Sequence, residues 1–294
     1  MESRQILIIV NPASGKSAYE DKLRYLRQRI EEEGLHSKLY FTEFNNNGSL
    51  RSFLHAHPEI NEIFIMGGDG TLNHVVNESN PGEYTLAIVS NGTGNDSVKS
   101  LHGILDFQKQ VEIALHGKIA HFDLGICNTR YFVNGVGVGF DGEVVRQMYL
   151  KGNKQGNHLD YLFTVLKIVG GYKEKPISFT ADGAQHNREI LLFTVSNGTT
   201  FGGGFVINPF AKTNDGQLDV CLINTIAPWK RFWHLPKLKN GYHDRLKETE
   251  FFTASSITVA PSSQLVAHLD GEFIGHPPFT FSILKNGLKL RVPQ

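Results

Sequence analysis

Three times in the first 120 residues, a strand signal runs directly into a glycine-containing turn, and this feature constrains the fold more than any other. The strand signals are short apolar runs at residues 6–10, 60–66 and 84–89. Helical spacing of apolar residues separates them, as at Leu23, Leu26 and Ile30. Strands that alternate with helices predict a parallel sheet covered by helices, that is, a three-layer α/β domain. Ligands of such sheets bind beyond the carboxyl ends of the strands, where the three turns are expected.

After about residue 120 the pattern changes to short strand-like runs, which predict an antiparallel β-sandwich or barrel. The runs are residues 119–127, 130–138, 177–181, 189–195, 218–223, 256–260, 265–269 and 279–284. Two helices are expected among them, near residues 158–169 and 228–240. The prediction is an α/β domain over residues 1–120, with residues 285–294 as candidates to return to it, and a β-rich domain over residues 121–284.

The charge balance argues against a nucleic-acid partner, because 29 Lys and Arg residues are offset by 29 Asp and Glu residues. The two cysteines, Cys127 and Cys221, lie in apolar runs without metal-ligand spacing, so buried free thiols are expected. No apolar run approaches the ~18 residues that a spanning helix needs, and the N-terminus leads directly into a strand. These observations predict a cytoplasmic protein whose contact with any membrane is peripheral.

The first turn consists of Asn11, Pro12, Ala13, Ser14, Gly15 and Lys16. The backbone N–H groups of such a turn form an anion site together with the N-terminus of the following helix. Ser14 adds a hydrogen-bond donor and Lys16 adds a positive charge. An ordinary strand-to-helix turn explains this segment equally well.

The second turn consists of Gly67, Gly68, Asp69, Gly70, Thr71, Leu72 and Asn73. Its glycines let the backbone approach a phosphate more closely than a Cβ would permit. Asp69 would repel that phosphate unless a cation intervened, so the turn predicts Mg²⁺ bound by Asp69 directly or through water. Thr71 can cap the next helix and donate to a phosphate. A tight turn with an Asx hydrogen bond accounts for the glycines and for Asp69 separately, but not for their combination.

The third turn is Gly92-Thr93-Gly94-Asn95-Asp96. Taken alone, it is equally well explained by a loop in which Asp96 caps a helix. Together the three turns line one edge of the predicted sheet, where they would enclose a triphosphate and its metal. The spacing Gly-x-x-x-x-Gly-Lys is absent, which excludes a P-loop protein by motif. The spacing Gly-x-Gly-x-x-Gly occurs at residues 137–142, in the strand-rich half and in none of the three turns, which argues against a dinucleotide-binding Rossmann domain.

These turns resemble the motifs of the diacylglycerol kinase catalytic-domain family, which includes bacterial diacylglycerol kinases, sphingosine kinases and ceramide kinases and shares its fold with NAD kinases. Further matches follow in order at residues 139–141, 202–204, 215–219 and 270–272. The resemblance implies a lipid kinase that transfers the γ-phosphate of ATP to a hydroxyl of a membrane lipid with Mg²⁺. It assigns ATP to the first domain and the lipid, diacylglycerol-like or sphingoid-like, to the second. One departure is Ser97, where the family commonly has an aromatic residue.

The resemblance also implies roles for individual residues. The ATP contacts would be residues 11–15, Thr42, residues 67–73 and Thr93. Asp69 and Asp123 would belong to the acidic network around the catalytic Mg²⁺. The second, structural metal site would be formed by Lys212, Asp215 and Gln217, partly through backbone carbonyl groups.

The proton acceptor for the lipid hydroxyl would be Asp270 or Glu272 by the same resemblance. Without it, the Asp270-Gly271 pair is typical of a hairpin turn. None of the 13 histidines has zinc-ligand spacing, and His268 is the histidine nearest to Asp270 in sequence.

An aromatic and basic segment, residues 228–247, is the candidate for contact with the membrane. It holds six Lys or Arg residues, a single acidic residue and both tryptophans of the chain. The expected membrane-facing side chains are Trp229, Trp233, Lys230 and Arg231. The competing interpretation is a helix that packs its aromatic face against the β-rich domain.

Two other functions stay open. An NAD kinase shares the turn at residues 67–71, although the turn at residues 11–15 and the triplet at residues 270–272 favour a lipid kinase. A catalytically silent nucleotide-binding regulator on the same fold would bind ATP and transfer nothing. A small homo-oligomer is expected only because such assemblies are common.

Overall fold

The computed structural model describes residues 4–14, 19–42, 49–90, 96–101, 103, 105–151, 158–262 and 264–294. Gly15 and Thr93, two of the predicted ATP contacts, lie outside these ranges. The chain divides into two compact units, Met1–Phe122 with Asn286–Gln294 and Asp123–Lys285. In the described part of the chain, no helix is both long enough and apolar enough to cross a bilayer.

The first unit alternates strands with helices. Its strands are β1 (Gln5–Val10), β2 (His36–Phe41), β3 (Glu62–Met66) and β4 (Thr85–Ile88), and its helices are α1 (Tyr19–Glu32), α2 (Ser49–Ala56), α3 (Asp69–Glu78), α4 (Asp96–Leu101) and α5 (Phe107–His116). The four strands pair in parallel in the order β2-β1-β3-β4. The predicted α/β sheet is confirmed.

The strands of this sheet are apolar at nearly every position because both faces are covered. On one face, Ile6, Ile8 and Val10 of β1 pack in a cluster with residues of α1 and α5. Leu7 and Ile9 point to the opposite face, where they are also fully buried. The strands therefore lie at the centre of the unit, and their carboxyl ends carry the turns.

Over its described residues, the second unit is an antiparallel β structure with three α-helices. Its strands are β5 (Lys118–Cys127), β6 (Arg130–Phe132), β7 (Gly135–Gly139), β8 (Lys175–Ala181), β9 (Ala184–Ser196), β10 (Thr200–Phe201), β11 (Phe205–Val206), β12 (Leu218–Asn224), β13 (Thr249–Ala254), β14 (Ser256–Val259), β15 (Ala267–Leu269), β16 (Glu272–Gly275) and β17 (Phe279–Val292), of which β5 and β17 also contribute residues to the first unit. Its helices are α6 (Phe140–Leu150), α7 (His158–Val169) and α8 (Pro228–Lys239). The predicted β-sandwich class is confirmed by this unit.

Two Asp-Gly pairs form hairpin turns in the second unit. Asp182 and Gly183 join β8 to β9, and Asp270 and Gly271 join β15 to β16. In both pairs the two φ angles are positive, 44° and 87° in the first and 44° and 88° in the second. Two consecutive left-handed residues match the right-handed twist of the flanking strands, which is why Asp-Gly is favoured there.

The region after β6 differs from the prediction of one strand over residues 130–138. The chain breaks pairing at Val133 and Asn134, and helix α6 follows β7 directly although no helix was predicted there. The sequence gives no clear helix signal here, because Gly139 precedes the helix and Gly142 lies in its first turn. Both glycines are required locally: Gly139 has a φ of 101°, and a Cβ on Gly142 would overlap the carbonyl oxygen of Val266.

Candidate functional site

Two of the glycine turns meet where the strand order reverses. From β1 the chain pairs next with β2 on one side and later with β3 on the other, which makes the β1–β3 edge a topological switch point. Ligands of open α/β sheets bind at such points. The backbone N–H of Asn11, the first residue after β1, donates to the carbonyl oxygen of Met66 at 3.0 Å.

Asn11 connects the first and second turns through both ends of its amide. The side chain is only 5% exposed. Its Nδ2 donates to Oγ1 of Thr71 at 2.9 Å, and its Oδ1 accepts from the Ala13 N–H at 3.0 Å. The hydroxyl of Ser14 donates to the Asn11 carbonyl oxygen at 2.8 Å, which closes the turn. Pro12 and Ala13 are left exposed at its tip.

The glycines of the second turn serve different purposes. A Cβ on Gly67 would overlap the side chain of Thr71, so this glycine permits the Asn11–Thr71 contact. Gly70 is exposed, and outside its own stretch of helix backbone no atom of the described residues lies within 4 Å of the point where a Cβ would stand. Gly68 is extended and precedes α3, and the Thr71 N–H donates to its carbonyl oxygen at 3.0 Å. The open backbone at Gly70 is the part of this turn that a phosphate can approach.

Leu72 and Asn73 were predicted as ATP contacts, and the structure places both side chains in the interior of the unit. They are 2% and 3% exposed, respectively. Oδ1 of Asn73 accepts from Nδ2 of Asn77 at 3.2 Å. Thr42 follows β2, and its hydroxyl donates to the Val10 carbonyl oxygen at 3.4 Å, which places it beside the first turn.

Asp69 connects the second turn to the helix that follows the third. Its Oδ2 accepts from the Asp96 N–H at 2.8 Å, and its Oδ1 accepts from the Ser97 N–H at 2.9 Å. Burial raises the pKa of Asp69 to about 6, and the neighbouring carboxylate of Asp96 adds to this effect, whereas hydrogen bonds from Asp96 and Ser97 oppose it. The Ser97 hydroxyl is one of these donors, so the departure from the family pattern at this position has a partner in the turn.

The Asp69–Asp96 pair fits a cation that binds together with a triphosphate. Two carboxylates that repel each other are the kind of site that a divalent cation stabilises, and Mg²⁺ commonly uses one or two carboxylates, waters and substrate phosphates. The described residues contain no group of three His, Cys, Asp or Glu side chains arranged to hold a metal. Asp69 accepts one backbone hydrogen bond on each oxygen, and because an ionised carboxylate has about four acceptor sites, it retains capacity for a cation or for one of its waters.

Asp123, predicted for the acidic network, lies in the second unit and is 2% exposed. Its Oδ2 accepts from the Gly216 N–H at 2.7 Å, and its own N–H donates to the Thr213 carbonyl oxygen at 2.7 Å. Asp123 thus fixes the turn that holds Lys212, Asp215 and Gln217.

These three predicted metal ligands are brought together in that one turn. Oδ1 of Asp215 accepts from the Gln217 N–H at 3.1 Å, and Oδ2 of Asp219 accepts from the Lys212 N–H at 3.3 Å. Burial raises the pKa of Asp219 to about 6, with a further contribution from the charge of Asp215. A second pair of neighbouring carboxylates therefore fits a cation here, with Asp215 exposed to receive it.

Asp270 is directed at the backbone of its own unit. Its Oδ2 accepts from the Val133 N–H at 2.7 Å, and its Oδ1 accepts from the N–H groups of Asn134 and Gly135 at 3.0 and 2.9 Å. The Asp270 N–H donates to the Gly135 carbonyl oxygen at 2.9 Å. These bonds explain the break between β6 and β7, since the N–H groups at the break bind a carboxylate.

Glu272, the other predicted proton acceptor, is at the surface. Its side chain is 56% exposed, and its Oε2 lies 2.6 Å from a guanidinium nitrogen of Arg130. Arg130 is not among the predicted site residues. No local pattern could have identified it, because the two residues are 142 positions apart.

Helix α8 separates the four predicted membrane-facing residues into two groups. Trp229 and Trp233 are 66% and 75% exposed, and Lys230 lies over the ring of Trp229 with its Nζ 5.7 Å from the centroid. Leu235 and Leu238 make the packing contacts with the core, so the interpretation of an aromatic face packed on the β-rich domain is wrong.

For Arg231 the prediction of membrane contact is wrong. The residue is 3% exposed, and its guanidinium donates to the carbonyl oxygens of Ile226, Val169 and Tyr172 and to Glu174. A cation with this many buried partners is satisfied within the protein.

Comparison with known proteins relates both units of the chain to diacylglycerol kinases. Residues 5–127 match the diacylglycerol kinase catalytic domain, and residues 134–292 match the YegS C-terminal NAD kinase β-sandwich-like domain. A diacylglycerol kinase of Staphylococcus carnosus (strain TM300) is 26% identical over 290 residues, which covers 98% of this chain and 94% of that protein. A diacylglycerol kinase of Staphylococcus aureus (strain Newman) is 26% identical over 293 residues, covering 98% and 92%. The crystal structure of a diacylglycerol kinase from Bacillus anthracis str. Sterne has the same fold, with a TM-score of 0.74 at 19% identity, over 99% of this chain and 97% of that one.

Proposed function

Because the chain belongs to the diacylglycerol kinase catalytic-domain family, we propose that it transfers the γ-phosphate of ATP to a hydroxyl group of a membrane lipid, with Mg²⁺. The acceptor is diacylglycerol-like or sphingoid-like. The observation that carries the proposal is the bond between Asn11 and Thr71, which joins two glycine turns at the switch point of the sheet. An open backbone at Gly70 beside that bond supports a triphosphate as the ligand.

Phosphoryl transfer needs mainly positioning and charge neutralisation, because the transition state is loose and its charge is spread over the phosphoryl oxygens. The backbone N–H groups at the N-terminus of α3 would supply fixed dipoles for the phosphates, whereas the N–H groups of Asn11, Ala13 and Ser14 in the first turn donate within the protein. Mg²⁺ would supply positive charge to the transferring group, with Asp69 and Asp96 as the carboxylates nearest to it. Asp69 also holds the start of α4 by accepting hydrogen bonds from the N–H groups of Asp96 and Ser97.

Between the two candidates for the proton acceptor, the geometry favours Glu272. The carboxylate of Asp270 accepts three backbone hydrogen bonds, so its function is to fix the hairpin. Glu272 is exposed and paired only at the surface, where a lipid hydroxyl can displace the ion pair at small cost. We therefore assign proton acceptance to Glu272 and support of the hairpin to Asp270.

The test uses radiolabelled ATP, Mg²⁺ and detergent micelles that carry diacylglycerol, a sphingoid base or ceramide. The unmodified protein is expected to place label in an organic-extractable product with one of these lipids. Glu272→Gln is expected to lower kcat by about 100-fold with ATP binding unchanged, which is the range for loss of a general base. Asp270→Asn is expected to lower both kcat and thermal stability.

Two results would overturn the proposal. Label in NAD but in none of the lipids would make the protein an NAD kinase on the same fold. ATP binding without label in any acceptor would make it a nucleotide-binding regulator.

The surface through which this protein reaches its lipid is, we propose, the α7–α8 face, defined by Phe163, Leu166, Trp229, Phe232 and Trp233. These side chains are 42–75% exposed. Exposed lysines flank them on both helices, at Lys167, Lys237 and Lys239. Aromatic residues combined with cations suit the headgroup region of an anionic bilayer, which is the occupant we assign to this face.

Vesicle sedimentation tests this assignment. Trp229→Ala/Trp233→Ala is expected to lower binding to vesicles that contain phosphatidylglycerol by about 10-fold or more, because two interfacial aromatic residues are lost. Phe210→Ala, which removes another exposed aromatic ring of the same unit, serves as the control. Equal binding by the double variant, or loss of ATP binding with it, would contradict a membrane contact at this face.

A further inference from the structure

The hairpin that carries Asp270 and Glu272 contains another polar residue with no role so far, His268 of β15. Its side chain is 6% exposed and lies between two partners. The Gly271 N–H donates to Nδ1 at 3.3 Å, and Nε2 lies 3.3 Å from Oδ2 of Asp141. Because Nδ1 accepts from a backbone amide, the proton of the neutral ring is on Nε2 and is donated to Asp141. His268 therefore connects the hairpin turn to the start of α6.

Space for this pair is provided by a glycine in the neighbouring strand. His268 pairs with Gly137 of β7. A Cβ on Gly137 would overlap Oδ2 of Asp141 and would stand 2.6 Å from Nε2 of His268. Asp141 is held in place by a second bond, in which its Oδ1 accepts from the Gly142 N–H at 2.9 Å. The buried pair thus depends on the absence of a side chain at one position.

The hairpin turn at Asp270 and Gly271 is therefore held by hydrogen bonds on two sides. Asp270 binds the N–H groups at the break between β6 and β7, and Gly271 binds His268. Glu272 is the next residue, and its peptide orientation follows from that of Gly271. A displacement of the Gly271 amide would therefore move the side chain to which we assign proton acceptance.

We propose that the Asp141–His268 pair is a positioning device that holds the Gly271 amide and, through it, sets the direction of Glu272. The pair does not contact the substrate, and its effect is transmitted by the hairpin turn. This inference rests on the proposed function, because it concerns the same reaction. Its physical part, the contact with Gly271, can be measured without any activity.

Replacing His268 with Asn or with Gln distinguishes the contact of Nδ1 with Gly271 from the contact of Nε2 with Asp141. The side-chain oxygen of His268→Asn stands close to the position of Nδ1, so this variant keeps an acceptor for Gly271 and loses the donor to Asp141. The terminal amide of His268→Gln stands close to Nε2, so this variant keeps the donor to Asp141 and loses the acceptor for Gly271. We expect His268→Gln to lower kcat by about 10-fold to 100-fold, as misplacement of a reacting group by about 1 Å does, with the KM for ATP unchanged. His268→Asn is expected to retain most of kcat.

The second readout is hydrogen exchange at the Gly271 amide, followed by NMR. Exchange should accelerate in His268→Gln and stay slow in His268→Asn, and His186→Asn serves as a control histidine elsewhere in the unit. Equal kcat in the two His268 variants, or unchanged Gly271 exchange in His268→Gln, would overturn the inference. Accelerated exchange in His268→Gln, combined with no lipid product from the unmodified protein, would overturn the proposed function and leave the hairpin contact standing.

Discussion

At the scale of single residues, the side-chain amide of Asn11 contributes to two turns at once. Its Nδ2 binds Thr71 and its Oδ1 binds the N–H of Ala13. Both bonds are buried or half-buried, so removal of the amide leaves groups in the interior without partners.

Asn11→Ala is expected to weaken ATP binding by about 10-fold, which corresponds to roughly 1.4 kcal/mol and lies within the cost of one buried hydrogen-bonded group. Titration calorimetry with an ATP analogue measures the change. Asn80→Ala, which removes an amide that binds Glu83 at the surface, should leave affinity unchanged. If both variants bind equally well, the first turn does not contact the nucleotide.

The raised pKa of Asp69 gives a second expectation. A carboxyl group whose pKa is near 6 in the folded protein and near 3.8 when unfolded lowers stability as pH rises between these values. A bound Mg²⁺–nucleotide complex should recover this loss, because it compensates the negative charge. The rise in melting temperature caused by Mg²⁺–ATP should therefore grow as pH rises from about 4 to about 6 in the unmodified protein, and level off above that.

Asp69→Asn separates this effect from the titration of the nucleotide itself, which is the same for both proteins. The variant should show a smaller increase with pH, and the difference between the two proteins belongs to Asp69. If the rise in melting temperature had the same pH dependence in both proteins, the charge of Asp69 would not interact with the bound cation.

The residue scale also shows where sequence reasoning reaches its limit. The turn at residues 67–73 was identifiable because glycine and Asp at this spacing have few other uses. The partners of the carboxylates were not identifiable, because Asp69 binds an amide 27 positions away and Asp270 binds one 137 positions away. Side-chain burial was equally hidden, since Leu72, Asn73 and Arg231 lie in segments that read as exposed turns or as a basic surface.

At the scale of elements, Arg231 connects α8 to the end of α7 and the residues that follow it. Its guanidinium binds the carbonyl oxygens of Val169 and Tyr172 at the end of α7, and it is 2.7 Å from Glu174. Helix α6, by contrast, was missed because the apolar periodicity that marks α1 is interrupted by Gly142. Elements are thus predictable from sequence when an uninterrupted periodic face forms their core contact, and hidden when glycines permit a close approach.

Arg231→Met is expected to destabilise the second unit by about 3–5 kcal/mol, because Glu174 and three carbonyl oxygens lose a buried cation. Lys230→Met, one position earlier and half-exposed, should change stability by less than about 0.5 kcal/mol. Urea unfolding of both variants measures the difference. If Arg231→Met left the free energy of unfolding unchanged, water would have to replace the guanidinium between α7 and α8.

At the scale of the whole molecule, residues 286–294 belong to the first unit although they come last in the chain. Lys289 and Leu290 of β17 pair in parallel with Thr85 and Leu86 of β4. Arg291 contributes a buried ion pair, with its guanidinium 2.7 Å from Glu62, which also binds Arg4. Burial alone raises the pKa of Glu62, but hydrogen bonds from Arg4 and Arg291 outweigh it, so that the pKa is lowered.

Arg291→Ala is expected to destabilise the first unit by roughly 2 kcal/mol at neutral pH, since Glu62 keeps only Arg4 as its partner. A lowered carboxyl pKa stabilises the folded state above the ordinary value of 4.5, and this contribution is lost as pH falls through the folded value. The difference in unfolding free energy between variant and unmodified protein should therefore shrink below about pH 4.5. A difference that is constant with pH would assign the effect to packing of β17.

The late position of residues 286–294 also determines the order in which a ribosome completes the two units. Translation delivers all of residues 123–285 before it delivers the strand that pairs with β4 and the arginine that binds Glu62. The unit with the glycine turns is therefore begun first and completed after the second unit. A nascent chain cut short before residue 286 would lack the strand that pairs with β4 and the arginine that binds Glu62, so under the proposed function we expect such a chain to bind ATP less tightly than a complete one.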